Sequence, residues 1–107
     1  MDWDKFAISI STEVGELFSG KLKSYKDAAE KDAKAFLEAS KNDIEKWTIE
    51  LAEGELLKNE YEILVKGKAD VLKMLYLKQL GIGKIEKEKF MKGLIKIIVK
   101  AAFSLIP

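Results

Sequence analysis

The sequence predicts an all-α fold, an antiparallel bundle of three to four helices with one long central helix pair. Three observations carry that prediction. Apolar residues recur at steps of three and four along nearly the whole chain, the spacing of one helix face. The single proline is Pro107, so no residue before it breaks a helix by its ring. Apolar residues make up 48% of the chain and charged residues 35%, with a net charge of only +1, which excludes a disordered chain. At 107 residues this is one helical domain, 1–107, of a size that buries only about two-thirds of its unfolded surface. Self-association is a natural way for such a chain to gain stability.

Trp3, Phe6, Ile10, Val14 and Leu17 mark the first amphipathic segment, and Ser19-Gly20 predicts its end. From Lys21 to Glu53, the residues Ala33, Leu37, Ser40, Ile44, Trp47 and Leu51 form an alternating four-three seam. That seam predicts one helix of about 30 residues, about 45 Å long. Ala28, Ala29, Ala33 and Ala39 are small enough for close helix approach on its inner side. Asp27–Lys31 and Glu30–Lys34 set opposite charges one turn apart. Gly54 is the expected left-handed helix-ending residue. A third helix is expected from Leu56 to Leu80, interrupted at Gly67, and a fourth from Ile85 to Ile106 beyond the turn or kink at Gly81-Ile82-Gly83. Trp3, Trp47, Tyr61 and Phe36 fall on apolar seams and are expected in the core.

The absent residue types narrow the function classes. Without cysteine there is no thiolate nucleophile, disulfide or cysteine metal site. Without histidine the commonest general base and metal ligand are missing. All 19 basic residues are lysine, and the lack of arginine argues against nucleic-acid recognition. Asp27, Glu30, Asp32, Glu38, Asp43 and Glu45 alternate with lysine and read as a solvated face. They match no di-iron or calcium-loop spacing. Gly81-x-Gly83 lacks the strand and the third glycine of a phosphate loop. No enzyme activity and no cofactor is expected. Met1-Asp2-Trp3-Asp4-Lys5 is not a secretion leader and no apolar run of about 18 residues occurs, so the expected address is the cytoplasm.

Charge is unevenly divided. Residues 1–60 hold 9 lysines and 14 acids, a net −5, while residues 61–107 hold 10 lysines and 4 acids, a net +6. The two halves are expected to fold against each other.

The last helix carries the functional expectation. Lys89, Lys92, Lys96 and Lys100 share an arc of about 80° on a helical wheel, and nearly everything else from Phe90 to Ile106 is apolar. A peripheral bundle helix needs an apolar stripe only a little over 100° wide. Three explanations fit: a central position in the bundle, a shared face with a second copy, or a membrane-surface helix. The expected role is a non-enzymatic scaffold or interaction module that self-associates through Leu94, Ile98, Ala102 and Leu105, or binds another protein. Val99 and Phe103 form the outermost apolar edge, where a partner is expected. The alternative is a peripheral membrane protein that docks on anionic lipid through Lys89, Lys92, Lys96 and Lys100.

Overall fold

Asp2 opens the first helix: its carboxylate accepts the Lys5 backbone N–H at 3.1 Å, satisfying a donor that the helix itself leaves free. The computed structural model describes residues 1–107 and is helical throughout, with no strand. The helices are α1 (Trp3–Glu16), α2 (Lys23–Ala39), α3 (Lys41–Ala52), α4 (Lys58–Ala69), α5 (Leu75–Gln79) and α6 (Lys84–Phe103). The all-α class is as the periodicity predicts. The elements number six because both long predicted helices are divided.

The predicted Lys21–Glu53 helix breaks at Ser40, whose φ and ψ of −107° and 9° leave the helical region for one residue. The run Ser40-Lys41-Asn42-Asp43 is rich in residues that favour helix starts over helix interiors. The seam nevertheless stays inside: Ala33, Leu37, Ser40, Ile44 and Leu51 are buried, and Trp47 is half-buried against the core. Of the four alanines, Ala28, Ala29 and Ala33 are buried and Ala39 is exposed. The predicted Leu56–Leu80 helix passes through Gly67 unbroken and ends instead at Ala69, with α5 following after a short connection. Gly54 ends α3 with φ 79°, as expected of a left-handed cap, and Gly81 after α5 has φ 69°.

Packing follows the buried faces. α1 lies along α2 and α6, α6 also along α3 and α4, and α5 against α2. Gly93 packs against Leu17, just past α1, whose Cδ1 would have to move aside for a Cβ there. Twenty-two buried residues form one core, drawn from all six helices, from Phe18 after α1 and from the connections flanking α5, in a molecule of 41 × 23 × 21 Å. Two ion pairs tie helices together, Lys26–Glu16 between α2 and α1, and Lys68–Asp43 between α4 and α3. The expected Asp27–Lys31 and Glu30–Lys34 pairs do not form.

Two polar arrangements sit inside the core. Thr48 donates to its own helix at the Ile44 carbonyl, 2.6 Å away, so its oxygen accepts from the Tyr61 hydroxyl at 2.9 Å. Asp32 is only 1% exposed, which corrects its reading as part of a solvated face. Its two oxygens accept the backbone N–H groups of Tyr76 and Leu77 at 3.0 and 2.9 Å, capping α5 from α2.

Candidate functional site

α6 presents different surfaces to its neighbours. Phe90, Leu94, Ile98 and Ala102 lie one turn apart and are fully buried within the chain's own core. This corrects the expectation that Leu94, Ile98 and Ala102 form an interface between copies, because side chains with no exposed surface have none to offer. Leu105, the fourth residue of that set, lies past the helix end and is 42% exposed beside Met1 and Ile49. The excess apolar surface of α6 is therefore covered by α1, α3 and α4.

One edge stays open. Between α6 and α4 runs a groove of about 630 Å³. Ile95, Val99 and Phe103 form its floor, each half-buried against the core. Lys92, Lys96 and Lys100 rise along the α6 rim, one helical turn apart, and Glu62 and Lys66 form the α4 rim. Lys58, one turn before Glu62, places its ammonium 5.2 Å from the Phe103 ring centre, within cation–π range. None of these lysines enters an ion pair. The site combines an apolar floor with four rim lysines and one carboxylate.

The structure thus joins two sets of residues that the sequence picks out separately, the edge Val99–Phe103 and the stripe Lys92–Lys96–Lys100. It separates Lys89, whose ammonium lies 5.6 Å from the Phe18 ring centre on the α1 side. Ile95 and the whole α4 wall are not foreseen. Lys58, Glu62 and Lys66 do step by four in the sequence, which marks one helix face but not which helix faces it.

The groove has little chemistry for catalysis. It holds no nucleophile beside a base, and no group of three or more acidic residues anywhere in the chain is arranged to hold a metal ion. No helix is long and apolar enough to cross a membrane. Comparison with known protein families, with functionally curated proteins and with solved structures finds no match in any of the three.

Proposed function

We propose that this protein is a non-enzymatic interaction module whose α4–α6 groove receives an acidic, amphipathic helix from a protein partner. The observation that carries the reading is the unpaired lysine rim around a half-buried apolar floor. From Lys92 to Phe103 the groove runs about 17 Å, which matches about three turns of a guest helix. Leucine-like residues at three-four spacing on the guest would rest on Ile95, Val99 and Phe103. Acids one turn apart would face Lys92, Lys96 and Lys100. The apolar floor supplies most of the affinity, because exposed ion pairs are worth about 0.2–1 kcal/mol each. The lysines supply orientation and choice of partner.

The guest is a different protein rather than a second copy. α1 and α3 expose one large apolar residue each, Ile8 and Ile49, so this chain offers no acidic helix with a matching apolar stripe. Lipid docking through the full lysine stripe is not favoured here, since Lys89 lies on the α1 side and outside the groove. We assign the module to the cytoplasm, a setting that suits a core held without disulfides.

The test is fluorescence anisotropy with a labelled synthetic leucine–glutamate helix of about 18 residues. Saturable binding is expected, with affinity falling about ten-fold in the Lys92→Gln/Lys96→Gln/Lys100→Gln variant. The same peptide with lysine in place of glutamate should not bind. Equal binding of both peptides, or no effect of the triple substitution, would rule the reading out. Light scattering of the protein alone should give a monomer at tens of micromolar.

A further inference from the structure

The segment from Val71 to Ile85, which runs from the end of α4 through α5 into the start of α6, has an unusual surface. Met74, Leu77 and Ile82 anchor it in the core. A short surface element anchored this way ordinarily turns polar residues outward. Here the outward residues are Val71, Leu75, Tyr76, Leu80 and Ile85, and Val71 and Ile85 are 77% and 79% exposed. Single exposed apolar residues are unremarkable, but five in fifteen positions on one anchored segment are a concentration.

The charges of the segment have one sign. Lys73, Lys78 and Lys84 are exposed, and no acid occurs between Val71 and Ile85. Asp70 and Glu86 flank it, and Asp27 on α2 borders a shallow depression that also touches Tyr76 and Leu80. Lys31 balances Asp27 there, with its ammonium 5.4 Å from the Tyr76 ring centre. That depression also reaches Ser24, so the start of α2 lies beside α5. It contributes Lys21, the 67% exposed Leu22, and Lys23.

We infer that the Val71–Ile85 face docks on an anionic lipid bilayer, inserting its outward apolar side chains while the surrounding lysines meet the headgroups. Shape and charge together favour this occupant. Val71 and Ile85 are each more than three-quarters exposed and fourteen residues apart, so a rigid protein partner would need a separate socket for each. A bilayer interface is a continuous apolar phase that accepts them at any spacing, to a depth of about 5–10 Å. Its negative surface potential complements a segment without acids. The two N–H bonds to the buried Asp32 hold α5 in place, so the face is organised before it meets lipid. This surface is separate from the α4–α6 groove and does not depend on the groove's function.

The experiment is co-sedimentation of the full chain with phosphatidylcholine vesicles containing about one-third phosphatidylserine, against phosphatidylcholine alone. Partition onto the anionic vesicles only is expected. The Lys73→Gln/Lys78→Gln/Lys84→Gln variant should lose about a hundred-fold in partition, since each basic residue near such a surface is worth about five-fold. Val71→Ser/Ile85→Ser should also abolish pelleting, and its unfolding curve should match that of the unaltered chain because both sites are largely exposed. Because the chain has no cysteine, Val71→Cys carries a single environment-sensitive fluorophore, whose emission should shift to the blue on anionic vesicles. Lys92→Gln/Lys96→Gln/Lys100→Gln should leave vesicle binding intact. Equal pelleting with neutral vesicles, no pelleting at all, or a loss confined to this groove variant would each overturn the inference.

Discussion

Asp32 fixes α5 from 44 and 45 residues away in the chain. A buried carboxylate accepting two N–H groups makes stronger bonds than a neutral acceptor, and the buried Leu77 donor left alone is costly. Asp32→Ala is expected to lower stability by about 2–3 kcal/mol in denaturant unfolding. Amide exchange should quicken first at Tyr76 and Leu77, and equal acceleration throughout the chain would contradict the local role. Asp32 shares its helix face with Ala28, Ala29 and Phe36, so its burial is legible in the register. Its flanking Lys31 and Lys34 suggest a solvated position instead, and no pattern in the sequence names the distant N–H groups it serves. Tyr61 gives a second prediction at this scale. Burial pushes its hydroxyl up from 10.0 to about 12, only partly offset by the hydrogen bond it shares with Thr48. The unfolded chain therefore releases this proton first, and stability is full below pH 10 and falls by about 1.4 kcal/mol per unit from there towards about pH 12. Tyr61→Phe should flatten that part of the pH–stability profile, and an unchanged slope would refute the assignment.

At the scale of the element, α6 is the instructive case. Its breadth of apolar residues correctly signals that it is no ordinary surface helix, but periodicity reports that a face is covered and not by what. Three helices of the same chain cover it. Leu94→Ala should therefore cost about 2–5 kcal/mol, the range for emptying a core site. The loss should be the same across a ten-fold range of protein concentration, whereas an interface residue would show a loss that varies with concentration. The helix boundaries were less legible. At Ser40 the apolar seam continues straight through the break, so the step of three and four cannot reveal it. Gly67 draws attention as a breaker yet sits within α4, because a glycine costs a helix only about 1 kcal/mol and neighbouring packing at Val65 and Ala69 outweighs it.

Across the whole molecule, the division of charge takes on a different meaning from the one the sequence suggests. Lys68–Asp43 is the one ion pair between the basic part and the acidic part. Of the other lysines of residues 61–107, Lys66, Lys92, Lys96 and Lys100 line the groove, and Lys73, Lys78 and Lys84 are exposed around α5. On the proposed reading these are two surfaces on one rod 41 Å long, one for a helix and one for a bilayer. A labelled leucine–glutamate helix should then pellet with anionic vesicles only when the protein is added. Loss of that recruitment should follow from either set of lysine substitutions, Lys92/Lys96/Lys100 or Lys73/Lys78/Lys84. Recruitment that survives both would remove the case for bridging. Neither surface could be assembled from the sequence, because the α4 wall and the α2–α5 neighbourhood arise from residues far apart in the chain.

The anchoring of α5 also sets an order of events. A helix of five residues is far below the length that holds together in water by itself, so Leu75–Gln79 stays unformed until α2 presents Asp32. During synthesis the chain must make α2 long before Leu75 exists, and the clasp waits for its target. On the inferred docking, the α5 face is thus displayed late, by a molecule whose core is already closing. A chain that fails to fold carries the same apolar residues without the arrangement that aims them, so the inferred docking would require successful folding.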